Sequence, residues 1–263
     1  MAAVDPYSPE EMRFRREFLI GAALLAIPLA ALMVSSPGID LAISAFAKGA
    51  CTAPMSGNRW CATWSVSLAR NIFLAIFVLV SLVTLVATVR IVRAKGRWLG
   101  AEQARCWFMI AVLVVGPGVV SNLILKDNLG RARPRDVVEF GGAKTFTPAL
   151  TPSSECPRNC SFVSGEASSM FAVFFGLAML LPQYRLGLVV AGLATGVLAG
   201  SIRIIQGAHF MSDVLFAGIV MALTVSVLHM FFIGMWRNPR ATRDTLTAPF
   251  TPLVRVASAA WVR

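Results

Sequence analysis

The chain has 263 residues, of which 57% are hydrophobic and only 14% charged. That balance excludes an ordinary water-soluble domain, in which roughly 25% of residues carry charge. The net charge of +11 invites nucleic acid as a partner, but the cations flank apolar runs and form no basic stripe interleaved with aromatics, which argues for no nucleic acid.

Six apolar runs approach or exceed the roughly 20 residues that cross a bilayer: about 18–36, 71–89, 107–125, 165–182, 186–202 and 212–236. They predict an all-α polytopic membrane protein, with six transmembrane helices in one bundle. The chain reads as one domain, 1–263, with outer loops at about 37–70 and 126–164. Arg13, Arg15 and Arg16 precede the first run. Arg90, Arg93, Lys95, Arg97 and Arg105 separate the second from the third, and Arg237, Arg240 and Arg243 follow the sixth. The positive-inside rule then predicts cytoplasmic termini, with the bilayer and its anionic headgroups as partners of these fringes. A basic start before an apolar core also fits a signal peptide cleaved near Ser44-Ala45-Phe46-Ala47. The length of the run and the charge pattern favour a retained helix.

In chain order, Trp60 and Trp64 of the first outer loop read as interface anchors. The second span carries no nameable chemistry. Gly116-Pro117-Gly118 predicts a kink in the third, and Asn122 and Lys126 give its outer end a polar face. Residues 126–164 are too long for an idle connection, which predicts a lid or binding surface. Ser164 to Ser169, with Glu166, read as a capped helix start. Gly192, Gly196 and Gly200 form a small-residue face for close packing, and Arg203 continues along it toward the bundle mouth. His229, inside the sixth span, reads as a packed histidine.

Four of the five cysteines fall two to an outer loop, and Cys106 lies at the cytoplasmic end of the third run. Disulfides Cys51–Cys61 and Cys156–Cys160 are expected in an oxidising compartment. Metal binding at Cys156 and Cys160 ranks lower, with no histidine near in sequence. Asn159-Cys160-Ser161 matches a glycosylation sequon and reads as incidental.

Three clusters lie where apolar runs meet the outer side: Lys126 to Pro134, Ser161 to Glu166, and Ser201 to Asp213. In a helix starting near His209, Asp213 would sit one turn away on the same face, where a carboxylate sets the imidazole tautomer. Arg203 offers a planar fork suited to an oxyanion. The plain alternative is an interface histidine with a chance aspartate neighbour. Coincidence of three clusters on one side favours a site. Arg131 and Arg135 read as solvated, with contact to a second substrate phosphate as the alternative, and Lys144 and Arg158 as loop surface.

Lys126, six residues, then Arg133-Pro134 resembles the first motif of the type 2 phosphatidic acid phosphatase (PAP2) superfamily. Ser164-Gly165 resembles the core of its second motif, and Ser201 to Arg203, His209 and Asp213 its third. The resemblance covers about 107–236. The wider settings GRARPRDVVEFGG and CSFVSGEAS look most like bacterial lipid A phosphatases within that superfamily. It implies that Lys126, Arg133, Arg203, Ser164 and Gly165 bind phosphate, that His209 forms a phosphohistidine, and that Asp213 orients it. The family needs no metal, and no cofactor is expected. Three cations around a phosphoryl group would stabilise its spreading charge.

Two departures stand out. Where the second motif usually reads Pro-Ser-Gly-His, Val163 and Glu166 stand here, and Ile202 separates Ser201 from Arg203. Glu166 is therefore the candidate proton donor, with helix capping or pairing to Arg203 as the rival reading. The expected activity is hydrolysis of a lipid phosphate monoester, lipid A first, at the periplasmic face of a bacterial inner membrane. The alternatives are phosphatidylglycerophosphate, phosphatidate or undecaprenyl diphosphate phosphatase, a lipid phosphotransferase, and a non-catalytic lipid-phosphate binding or transport protein.

Overall fold

A computed structural model describes residues 9–50, 60, 61, 63–94 and 99–235. Eight α-helices occur among them: α1 (Pro9–Ser35), α2 (Gly38–Gly49), α3 (Trp64–Arg93), α4 (Leu99–Val114), the single turn α5 (Asp127–Leu129), α6 (Gly165–Leu180), α7 (Arg185–Ile205) and α8 (Met211–His229). Five segments are long and apolar enough to cross a membrane: Pro9–Ser35, Trp64–Arg93, Ala104–Asp136, Pro182–Ile205 and Met211–Phe232. The expected sixth, α6, has 16 residues. At 1.5 Å per residue it falls a little short of a hydrocarbon core about 30 Å thick. It is also the most enclosed helix, packed by α3, α4, α7 and α8, so neighbours cover what lipid would otherwise meet.

Exposure sorts the helices by environment. Among the side chains of α3 only Thr88 is buried, while its Leu, Val and Ile residues lie open on several faces. Such a helix suits hydrocarbon, which explains why its sequence carries no chemistry. The glycine face of α7 behaves as expected. A Cβ on Gly192 would lie 3.0 Å from Phe174 and Phe175, one on Gly196 2.5 Å from the Phe171 ring, and one on Gly200 2.2 Å from Val214. Helix α7 therefore packs closely on both α6 and α8.

Gly116-Pro117-Gly118 acts differently from a simple kink. From Val115 to Lys126 the chain follows a wider, π-helical path. Proline has no N–H to give to the ladder, and a widened turn accommodates that loss. The described part of the first outer loop contains helical structure. It holds α2 and the start of α3, and α2 buries Asp40, Ser44 and Ala47. Trp64 is 78% exposed, as an interface anchor would be. Trp60 is 3% exposed, packed edge-on against Phe140, and is core rather than anchor.

Residues 126–164 fold back over the end of the bundle. Backbone bonds from Ser153 to Leu129, Cys156 to Gly130 and Ser161 to Arg131 tie the segment to its own beginning. Gly130 makes this possible with φ +61°, since a Cβ there would overlap the Ser153 carbonyl. Cys156–Cys160 is a disulfide. Cys51, the other half of the first expected bridge, lies outside the described residues, as do Lys95, Arg97, Arg237, Arg240 and Arg243.

Candidate active site

Chain direction places the three clusters at one end of the bundle, where α4 and its π-helical extension finish, α6 starts, and α7 turns into α8. The turn is Gln206 to Phe210. Gly207 has φ +65°, and a Cβ there would sit 2.6 Å from the Trp60 indole. The tryptophan thus seats the loop carrying His209. Helix α8 begins at Met211, so His209 precedes the helix and the expected one-turn spacing with Asp213 does not arise. Asp213 instead folds back, its Oδ2 accepting the Phe210 N–H at 2.8 Å. That brings Oδ2 to 3.6 Å from His209 Nδ1.

The stronger partner of His209 is a carbonyl. Nδ1 lies 2.6 Å from Ser161 O. A carbonyl only accepts, so Nδ1 carries the hydrogen and Nε2 keeps a free lone pair. Burial pushes the imidazole far below its usual range, to about 3, with Lys126 and Arg133 adding to the shift and Asp213 opposing it. At neutral pH His209 is an uncharged imidazole with a defined tautomer.

Asp213 is fully buried and saturated with donors. Oδ2 accepts the Ser161 hydroxyl as well as the Phe210 amide, and Oδ1 accepts Arg131 Nη1 at 2.6 Å. Arg131, expected to be solvated, is 1% exposed. Its Nη2 donates to Asp40 Oδ2 at 2.8 Å and its Nε to Thr147 O at 2.9 Å. Two carboxylates and the overlying Phe210 ring, 4.3 Å away, compensate the buried charge. Arg135 is half-buried, its amide donating to Gly207 O, whereas Lys144 and Arg158 are exposed as expected.

The predicted phosphate ligands converge beside the imidazole. Lys126 is buried at the end of the π-helical segment, within Coulombic range of Arg133, Arg203, Glu166 and Asp213. Its ammonium lies 3.1 Å from where a Gly165 Cβ would stand, so glycine leaves it room. Arg133 is held by Asn159, donating to its backbone oxygen at 2.7 Å and its side-chain oxygen at 3.0 Å. Arg203, at the end of α7, donates to Gln206 Oε1. Ser164 stands at the N-cap of α6, yet its side chain makes no capping bond. Its hydroxyl is buried and has no hydrogen-bond partner among the described residues. An unmade bond of this kind costs about 1–3 kcal/mol. Gly165 opens α6, where backbone N–H groups lack intrahelical acceptors and favour anions. Donors of positive character from four segments thus gather at one place, with Lys126 and Arg133 within Coulombic range of the imidazole, an arrangement suited to a tetrahedral oxyanion. Among the described residues no group of three or more His, Cys, Asp or Glu is placed to hold a metal.

Glu166 is engaged with two cations. Its Oε1 accepts Arg70 Nε at 2.9 Å and lies 3.5 Å from Arg203 Nε. The pairing with Arg203 was one of the two sequence readings; the pairing with Arg70, from α3, was not foreseen. Nor were Asp40, the Ser161 carbonyl, Asn159 and Gln206. Only Asp40 left a sequence signal, a lone acid within the apolar stretch Gly38 to Ala47. Ser161 acts through a backbone atom and Asn159 across 26 residues, whereas Gln206 is a polar side chain three residues from Arg203.

Comparison with known proteins agrees with this geometry. The PAP2 superfamily pattern matches residues 106–238. A lipid A 4'-phosphatase of Francisella tularensis subsp. novicida (strain U112) is 42% identical over 124 residues, 46% of this chain and 56% of that protein's length. Lipid A 4'-phosphatases of Rhizobium etli (strain ATCC 51251 / DSM 11541 / JCM 21823 / NBRC 15573 / CFN 42) and Rhizobium leguminosarum are 33% and 31% identical over 195 residues, 71% of this chain, covering 76% and 84% of those proteins. The chain thus spans little more than half the length of the first relative and most of the other two. No solved structure matches. A PAP2 match over half the chain, relatives of this kind, and all three motifs gathered at one bundle end lead to one conclusion: the chain belongs to the PAP2 superfamily.

Proposed function

We propose that this protein is a membrane lipid phosphatase that removes a phosphate monoester from lipid A, the 4'-phosphate first, at the periplasmic face of a bacterial inner membrane. The observation that carries the reading is the neutral His209, with Nδ1 given to Ser161 O, Nε2 left free, and Lys126 and Arg133 within Coulombic range of the ring. The names of the relatives supply the substrate class. The arginine-rich fringe at the far end of the bundle supplies the orientation.

In this mechanism Lys126, Arg133 and Arg203 hold the phosphate oxygens, and the Ser164 hydroxyl and Gly165 N–H complete the cradle. The Nε2 lone pair of His209 attacks phosphorus. The P–O bond to the lipid breaks, its electron pair leaves with the lipid oxygen, and that oxygen takes a proton. The phosphorylated imidazole keeps its Nδ1 hydrogen and becomes cationic, and Asp213 stabilises that charge. Water then attacks phosphorus, releases inorganic phosphate and restores Nε2. Glu166 is the proposed proton donor; for that role it must carry a proton in the bound complex, with Arg70 and Arg203 drawn from its Oε1 toward the substrate phosphate.

Incubating the detergent-solubilised protein with bis-phosphorylated lipid A tests the reading, with released phosphate and the product's mass as readouts. Loss of one phosphate, abolished by His209→Ala, is the expected result. Turnover only with a second lipid acceptor would make the protein a phosphotransferase. An unchanged lipid product in His209→Ala would leave a binding or transport protein. Glu166→Gln should lower turnover and remove one limb of the pH profile, with partial recovery in Glu166→His. Full activity and an unaltered profile in Glu166→Gln would end its acid role.

A further inference from the structure

The proposed reaction uses Asp213 and His209, yet the buried charge beside them extends two residues further, through Arg131 to Asp40. Asp40, on α2, accepts the Ser212 N–H at 2.9 Å through Oδ1. Its Oδ2 accepts the Ser212 hydroxyl and Arg131 Nη2. Arg131 Nη1 in turn donates to Ser212 Oγ at 2.9 Å and Asp213 Oδ1 at 2.6 Å. Both ion pairs are dry: the side chains of Arg131, Asp40 and Asp213 are each 1% exposed or less. Arg131 therefore stands between two carboxylates, only one of which approaches the histidine.

We propose that Asp40, acting through Arg131, is a positioning residue that leaves the Asp213–His209 pair one negative charge in excess before the reaction and none once the imidazole is phosphorylated. The inference rests on the phosphohistidine reading above. Asp40, Arg131, Asp213 and neutral His209 sum to one negative charge, and attack through Nε2 makes the ring cationic and brings the sum to zero. In a buried, low-dielectric setting such a balance favours the charged intermediate over the resting state. Without Asp40 the same step would run from neutral to one positive charge, because Arg131 would draw on Asp213 alone. Asp40 also accepts the Ser212 amide in the first turn of α8, so it holds the helix that presents Asp213. A purely structural tie between α2 and α8 would need the hydrogen bonds but not this charge balance, and the two roles separate by experiment.

The test compares wild type, Asp40→Asn and the double variant Asp40→Asn/Arg131→Met, all as full chains in detergent. Readouts are kcat and KM for phosphate release from bis-phosphorylated lipid A, and affinity for orthovanadate, a pentacoordinate phosphoryl mimic, measured by protection against thermal unfolding. Asp40→Asn should lower kcat roughly 10- to 100-fold, the range that outer-shell hydrogen-bond partners command around metal sites, leave KM within about threefold, and weaken orthovanadate by a similar factor to kcat. The double variant removes a cation and an anion together, restores the balance, and should recover most of both losses. A kcat and orthovanadate affinity unchanged in Asp40→Asn would overturn the inference, as would a folded double variant no better than the single one. If Asp40→Asn does not fold, the double variant decides alone: near-wild-type orthovanadate affinity upholds the charge balance, and a folded variant without it refutes the balance. If wild type binds orthovanadate in a His209-dependent way but releases no phosphate from lipid A, the substrate assignment falls. The orthovanadate series then still judges Asp40.

Discussion

Acidification should destabilise this protein through His209 in a way that a substitution can isolate. In the unfolded chain a histidine takes up its proton near pH 6.5, whereas in the folded protein burial among cations holds His209 to about 3. Between those values the unfolded state binds a proton that the native state does not, so stability falls as pH falls. The contribution is fully present above about pH 6.5 and is lost progressively toward pH 3. From pH 7 to pH 5 the loss from this one group comes to roughly 2 kcal/mol. His209→Gln carries no titrating proton and lacks that loss. Thermal or denaturant unfolding of both proteins across this range should therefore show wild type losing about 2 kcal/mol more than the variant. Nitrogen-15 NMR of labelled histidine gives the direct readout: His209 should remain neutral and protonated on Nδ1 at pH 5. A titration near 6.5, or parallel stability profiles, would refute the burial argument, and a neutral ring protonated on Nε2 instead of Nδ1 would remove the free lone pair on which the mechanism depends.

Other outcomes follow from particular contacts. Gly200→Ala places a methyl 2.2 Å from Val214 and should cost about 1–3 kcal/mol by overpacking; Gly200→Ala/Val214→Ala should recover most of it in thermal unfolding. Ser164→Ala removes a buried hydroxyl without a protein partner, so it should leave stability unchanged or raise it by about 1 kcal/mol while lowering kcat/KM roughly tenfold. Replacing Cys156 and Cys160 together by alanine frees the loop whose Asn159 holds Arg133. The expected result is a higher KM for phosphate release with kcat little changed, and equal loss of both would place the loop in the chemical step instead.

Much of this protein was legible along the chain because its physics is one-dimensional there. A bilayer demands long apolar runs whatever their neighbours, so the helical fold and the places of its long apolar helices followed from composition and run length; that the sixth run forms a short helix enclosed by its neighbours did not. The glycine face of α7 was readable for the same reason, as spacing within a helix determines which residues share a side. The motif residues Lys126, Arg133, Ser164, Gly165, Arg203, His209 and Asp213 were named through their resemblance to the three PAP2 motifs, which residue types suited to an oxyanion support. What only the tertiary structure decided is how that set is held. His209 takes its tautomer from the Ser161 carbonyl, 48 residues away in the chain, and a backbone carbonyl leaves no mark in a sequence. Arg131 looked like one more surface cation until α2 brought Asp40 to it, 91 residues distant. Glu166 shares its charge with Arg70 of a helix that otherwise faces hydrocarbon. A buried charge persists only where its partner arrives in space, and that arrival depends on how helices distant in sequence pack.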